Sequence, residues 1–72
     1  MTLFEQIDHL KRLDGLIRRK ATGTPEDLAR RLNISRATVF RHIEDLRTLG
    51  APVSYDKQRQ TYQYEEPFDL QF

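Results

Sequence analysis

Apolar positions in the first segment of the chain recur at intervals of three and four residues. They are Leu3, Phe4, Ile7, Leu10, Leu13, Leu16 and Ile17. This spacing gives a helix one apolar face, and charged residues fill most of the positions between. Thr2 followed by Glu5 has the form of a capping box. The pattern predicts a first helix over about residues 3–20, with Gly23 as the residue that breaks it.

Two further helices are predicted from their start and stop signals. Thr24 can cap the second helix, and Pro25 fits its first position, where the N–H group that proline lacks is not needed. Ser35 can cap the third helix, and Gly50 is expected to end it in the left-handed conformation. Two helices joined by a short turn, the second rich in arginine near its start, are typical of a helix-turn-helix.

The apolar period shortens to two in the last third of the chain. Apolar and polar residues alternate over 53–56 and again over 61–64, as they do in strands. Residues 57–60 between them are polar and lack the Gly or Asn of a two-residue turn, so we expect a longer loop. Residues 53–64 are therefore predicted to form a β-hairpin. The predicted fold class is α+β, mainly α: a winged helix-turn-helix, with three helices followed by a two-stranded β-hairpin wing.

Length and composition limit the function to binding. The chain has 72 residues, no cysteine and two histidines, which leaves no disulfide, no thiolate nucleophile and no set of metal ligands. No paired carboxylates, P-loop or nucleophile–base set is present, so we predict no enzyme, no cofactor, no metal and no small-molecule ligand. Because no apolar run approaches the roughly 18 residues of a membrane helix, we expect a cytoplasmic protein without membrane contact.

The near-neutral formal charge of +1 conceals an uneven distribution. Residues 1–64 hold all 12 basic residues and 8 of the acidic ones, whereas 65–72 hold the other three acids. The window 28–43 contains four arginines and no acid. Such clusters favour an anion-binding face if the fold brings them together. We divide the chain into a winged helix-turn-helix domain, 1–64, and an acidic tail with alternating apolar residues, 65–72.

Two stretches carry a family resemblance. Residues 24–29 (TPEDLA) and 32–43 (LNISRATVFRHI) resemble the winged helix-turn-helix heads of DeoR-type and WYL-type bacterial transcription regulators. Residues 46–56 are similar to the helix end and first wing strand of those heads. The resemblance covers about residues 3–64. It implies a small bacterial transcription regulator that binds double-stranded DNA in a sequence-specific way.

The sequence also departs from the pattern of those heads. His42 stands where they usually have Asp, Ala37 where a longer polar residue is common, and residues 59–61 replace the Gly-Gly before the wing tyrosine. The effector domain that follows the heads in those families has no counterpart in these residues.

Base contacts are predicted on the third helix. A helical wheel places its apolar residues on one side and Ala37, Arg41 and Thr48 on the other. A recognition helix places the exposed N-terminal half in the major groove. Arg41 is the first candidate because its guanidinium fork can span the O6 and N7 acceptors of guanine. The predicted base contacts are Arg36, Ala37 and Arg41.

Phosphate contacts are predicted near the helix starts and on the wing. The phosphate set is Thr24, Arg30, Arg31, Ser35, Thr38 and Phe40. Lys57 and Arg59 on the wing can reach either the DNA backbone or the minor groove. Capping alone also explains Thr24 and Ser35, and only one of Arg30 and Arg31 is expected to reach a phosphate. Phe40 could instead pack beside the core or touch a thymine methyl group. His9 and His42 are expected at the surface or the core boundary.

Two alternatives remain open for the tail and for the partner. The tail can pack across its own first helix, or it can dock on a second copy. Helix-turn-helix proteins usually read pseudo-palindromic sites as dimers, so a homodimer through helix 1, the 67–72 tail or both is a predicted arrangement.

The alternative function is a winged-helix protein–protein interaction module without DNA binding, which the near-neutral charge favours slightly. RNA binding ranks third because no aromatic stacking surface is evident.

Overall fold

The computed structural model describes residues 2–71. Met1, where the predicted domain begins, and Phe72, the last alternating apolar residue of the tail, lie outside the described residues. The elements are α1 (Leu3–Arg18), α2 (Pro25–Leu32), α3 (Arg36–Thr48), β1 (Val53–Asp56) and β2 (Thr61–Tyr64). The predicted fold class, three helices followed by a two-stranded antiparallel hairpin, is confirmed.

α1 begins at its predicted cap and ends before the predicted breaker. The Thr2 hydroxyl accepts the N–H group of Glu5 at 3.2 Å. At the other end Lys20 takes the left-handed conformation with φ 54°, and the N–H group of Ala21 donates back to the carbonyl of Leu16. The left-handed residue and this backward hydrogen bond together close the last turn. The helix therefore ends at Arg18, two residues earlier than expected.

The starts of α2 and α3 follow the local signals. The Thr24 hydroxyl accepts the N–H group of Asp27 at 3.2 Å, and the Asp27 carboxylate accepts the N–H group of Thr24 at 3.1 Å. Ser35 caps α3 by accepting the N–H group of Thr38 at 3.1 Å. Gly50, with φ 98°, follows the end of α3 as predicted.

The hairpin closes through a four-residue tip, as the missing Gly-Asn signal indicated. Val53 lies opposite Tyr64, and Asp56 opposite Thr61. The Asp56 carboxylate accepts the N–H groups of Gln58 and Arg59 at 3.0 and 3.2 Å, and Gln60 takes a left-handed φ of 53°. Asp56 therefore holds the loop by accepting backbone N–H groups, and Gln60 adopts the positive φ that glycine often supplies in tighter turns.

The core lies between the three helices and one face of the hairpin. Its buried apolar residues are Leu10, Leu13, Ile17, Leu28, Ala29, Leu32, Val39, Ile43, Leu46, Ala51, Val53 and Tyr62. One polar link crosses it. The hydroxyls of Thr22 and Thr61, both buried, are 3.1 Å apart, and Thr22 Oγ1 accepts the N–H group of Tyr62 at 2.8 Å. This link attaches the wing to the loop between α1 and α2.

The described part of the tail lies on its own α1, so the structure shows the intramolecular alternative. Phe68 and Leu70 pack against the core, and the Phe68 ring meets that of Tyr64 edge-on at 5.2 Å. Arg18 donates to the Phe68 carbonyl and pairs with Asp69 at 3.3 Å. Tail and wing therefore share one side of α1.

The expectation for His42 was wrong, because its side chain is fully buried. Its ring lies 5.5 Å from that of His9, with the planes tilted by 57°, between α3 and α1. Position 42 is one turn after the buried Val39 and one turn before Leu46, on the flank of α3 that meets α1. His9 is half-buried at the boundary, as expected.

Candidate nucleic-acid interface

The exposed face of α3 carries the predicted base-contact residues. Arg36, Ala37 and Arg41 are all exposed, whereas Val39 and Ile43 are buried in the core. The division of α3 into a core face and an exposed face is therefore as the helical wheel predicted. Phe40 lies on the same surface and is 42% exposed, so it is not a core residue.

The three arginines of α3 differ in what they bind. Arg36 pairs with Glu26 of α2 at 3.1 Å, and its guanidinium lies 5.3 Å from the centre of the Phe40 ring. Arg47 pairs with Glu44 and donates to the carbonyl of Val53 at 3.3 Å. Arg41 forms no ion pair with any residue of the described range 2–71. Its donors are the ones on α3 that remain open to a ligand.

The N-terminal ends of α2 and α3 differ in charge. α2 has Glu26 and Asp27 in its first turn, whereas the first turn of α3 has no acid. Hydrogen bonds from the Thr24 backbone and hydroxyl lower the pKa of Asp27, so its carboxylate stays ionised beside the α2 start. A phosphate is therefore opposed at α2 and favoured at α3, where the helix dipole is uncompensated.

The predicted phosphate residues are divided between surfaces. Ser35 and Thr38 lie at the start of α3, where their hydroxyls are 2.8 Å apart and partly engaged in capping. The Thr24 hydroxyl and N–H group are both used in the capping box of α2. Arg30 pairs with Asp27, and Arg31 lines a groove between α2 and α1 that includes no described residue of α3.

The wing carries its two predicted cations at an exposed tip. Lys57 and Arg59 are both exposed, and Arg59 Nε lies 3.8 Å from the Asp56 carboxylate. Asp56 is the residue that also holds the loop N–H groups. The tip therefore presents two cationic side chains, of which Arg59 lies near the carboxylate that holds the loop.

A comparison with protein families decides the class of the chain. A family model described as an HTH domain matches residues 9–63. The chain belongs to this HTH domain family. The match runs from α1 into β2 and supports a DNA-binding helix-turn-helix. Searches of curated proteins and of solved structures give no significant match.

Sequence reasoning missed the acidic partners on the HTH domain's exposed surface. Glu26 and Arg36 are on different helices, so their pairing depends on how α2 packs against α3 and no local spacing reveals it. Glu44 and Arg47 are three residues apart on one helix, a spacing that does signal an ion pair. The further bond from Arg47 to β1 links the end of α3 to the wing and has no such signal.

Over residues 2–71, no group of three or more metal-ligating side chains is arranged to hold a metal ion. Within the same residues, none of the helices combines the length and apolar character needed to cross a bilayer.

Proposed function

We propose that this HTH domain is a sequence-specific reader of double-stranded DNA in a small bacterial transcription regulator. α3 enters the major groove, and the β1–β2 hairpin acts as the wing. The observation that carries the proposal is Arg41, an exposed arginine on α3 without a carboxylate partner among residues 2–71. An arginine kept free in this position suits bidentate contact with guanine.

The neighbours of Arg41 complete the base-reading set. Ala37, one turn earlier on the same face, is small enough for the helix to approach the bases and can touch a thymine methyl group. Arg36 reaches a base only after it leaves Glu26, so its contact costs an existing ion pair. Phe40 lies under the Arg36 guanidinium and supports an apolar or stacking contact better than a phosphate contact.

Phosphate contacts are proposed at the start of α3 and on the wing. The N–H groups of the first turn of α3, with the hydroxyls of Ser35 and Thr38, suit one phosphate because that turn itself contains no acidic residue. Lys57 at the wing tip suits another, and it has no ion pair within the described residues. Thr24 and Arg30 are weaker candidates because Asp27 already hydrogen-bonds Thr24 and forms an ion pair with Arg30.

The deciding experiment is selection of bound sequences from a random duplex library, followed by affinity measurements at several salt concentrations. Wild-type affinity should fall steeply as salt rises, because phosphate contacts release counterions. Arg41→Ala should relax preference at one base position and cost about 1–3 kcal/mol on the selected site. Lys57→Ala should weaken all duplexes to a similar degree and reduce the salt slope by about 1.

A matched control and a contrary result complete this test. Lys20→Ala removes one cation outside α3 and the wing, and it should leave sequence preference unchanged. If the wild type binds no duplex even at low salt, the DNA proposal fails. The alternative, a protein–protein interaction module, then becomes the leading function.

A second copy of the chain is the proposed partner on DNA. Leu3 and Phe4 in the first turn of α1 are 67% and 83% exposed, and Leu49 after α3 is 46% exposed. Because the tail already packs on its own α1, helix 1 is the better candidate for the dimer surface. Sedimentation at rising concentration should show a dimer that Phe4→Glu disrupts and Phe4→Leu retains; a wild-type monomer at high micromolar concentration would exclude it.

A further inference from the structure

A second basic surface lies between α1 and α2, apart from the proposed DNA-reading face. We name it the α1–α2 groove; its lining residues are Lys11, Arg12, Gly15, Leu16, Arg19, Arg31 and Leu32. Four of the seven are cations, and no described acid, α3 residue or hairpin residue lines it. Across residues 2–71, Lys11, Arg19 and Arg31 form no ion pair, and Arg12 is 3.9 Å from Asp8.

The floor of the groove is apolar. Leu16 is half-buried, and Leu32, only 3% exposed, closes the α2 side. Gly15 has no side chain, and the Arg19 guanidinium lies over it: a Cβ atom at position 15 would be 3.6 Å from Arg19 Nη1. The groove therefore combines a cationic rim with a small apolar floor.

The molecule already holds a segment of complementary chemistry on another side of α1. There, Phe68 and Leu70 of the acidic tail pack against the core, while Arg18 binds the Phe68 carbonyl and Asp69. An extended, acidic segment with large apolar side chains is thus bound by this helix through one arginine. The α1–α2 groove offers more cations around its own leucines, and no such segment of residues 2–71 lies in it.

We propose that the α1–α2 groove binds an acidic peptide segment of a partner protein. A large apolar side chain of the segment packs on the half-buried Leu16, and its carboxylates meet Lys11, Arg19 and Arg31. Nucleic acid fits this surface less well, since a sugar–phosphate backbone supplies charge but no large apolar side chain to pack on Leu16. Because α3 and the wing contribute nothing to the groove, the segment can bind while DNA occupies α3.

The test is an NMR titration of the ¹⁵N-labelled full chain without DNA, so its failure leaves the DNA proposal standing. The probe is a synthetic peptide of sequence DEFDELD. Two matched peptides, DESDESD and NQFNQLN, remove the apolar side chains or the charges. The probe should shift the amides of Gly15, Leu16, Arg31 and Leu32, and both matched peptides should bind more weakly.

Charge reversal tests the same surface from the protein side. The double variant Lys11→Glu with Arg19→Glu should weaken DEFDELD binding about tenfold. The control Lys20→Glu, compared with Lys11→Glu alone, makes the same change in net charge outside the groove, and it should keep the wild-type affinity. Circular dichroism checks that all variants fold.

Several results would overturn the proposal. Equal binding of DESDESD would reduce the groove to a non-selective charged surface. Peptide shifts confined to α3 would place the site elsewhere. Groove shifts on raising the protein concentration alone would make a second copy the occupant, and groove shifts with a short duplex DNA would make it a nucleic-acid surface.

Discussion

His42 is an imidazole buried between α3 and α1. Neither of its ring nitrogens has a hydrogen-bond partner among residues 2–71; Asp45 is 3.6 Å from Nδ1, and His9 faces the ring from α1. Burial lowers the pKa of His42 below its ordinary value of 6.5, with the nearby Asp45 acting in the opposite direction. The folded protein therefore holds this side chain neutral.

This burial predicts a pH-dependent stability. In the unfolded chain His42 takes up a proton near its ordinary pKa, whereas the folded chain resists it. Its stabilising contribution should be full above about pH 6.5 and lost as pH falls through the lowered folded pKa. Urea unfolding between pH 5 and 8 measures this, and His42→Gln should flatten the profile. An unchanged pH profile in His42→Gln would rule out this origin.

If Arg36 contacts DNA as proposed, we expect Glu26 to compete with DNA for its guanidinium. Glu26→Gln removes the negative charge 3.1 Å from the Arg36 guanidinium and leaves the size of the side chain unchanged. Duplex affinity should therefore rise several-fold at low salt, with little change in stability because both groups are largely exposed. Fluorescence anisotropy with the selected site measures it, and Glu66→Gln in the tail is the matched control. A loss of affinity would show that Glu26 positions Arg36 for DNA.

Thr22 provides one of the polar links between the wing and the helical body. Thr22→Val keeps the shape of the side chain but leaves the Tyr62 N–H group and the Thr61 hydroxyl without this partner in the core. The free energy of unfolding should fall by about 1–3 kcal/mol, and the Tyr62 amide should exchange faster with solvent. Thr48→Val, at an exposed position, is the control. Unchanged exchange at Tyr62 would show that the Thr22 hydroxyl does not protect this amide.

Element starts could be predicted from the sequence, because each cap involves residues only three positions apart. Thr2, Thr24 and Ser35 all cap as their local patterns indicated. The end of α1 could not be predicted, since Lys20 takes a left-handed conformation that glycine or asparagine usually signals. The spacing of apolar residues predicted which face of α3 is exposed. It did not predict which of the arginines on α3 form salt bridges.

Contacts between separate helices and strands could not be predicted from the sequence. The burial of His42 and the pairing of Glu26 with Arg36 depend on which helix flanks meet, and periodicity does not specify that. Arg31 is the clearest case. It belongs to the acid-free window 28–43, yet the packing of α2 on α1 turns it into the α1–α2 groove and away from α3.

At the scale of the whole molecule, the tail adds burial to a domain that has little. A chain of this length buries only about 60% of its unfolded surface, so a few extra apolar contacts matter. Phe68→Ala removes a half-buried ring that packs on Tyr64 and should cost about 1–2 kcal/mol of stability. Thermal or urea unfolding measures the loss, and Gln71→Ala is an exposed control. A stability equal to wild type would show that the tail is only loosely held.

At the wing tip, the residues that set the backbone conformation differ from the exposed Lys57. Asp56 holds the loop from its base through backbone N–H groups, and Gln60 completes the turn with its backbone angle. The side chain of Lys57 is exposed and forms none of the described hydrogen bonds that hold the tip, so the residue can change without remodelling the loop. A family built on this frame could acquire new DNA preferences by exchanging residues at this position. Position 57 would then vary during evolution, while Asp56 and Gln60 keep the conformation of the loop.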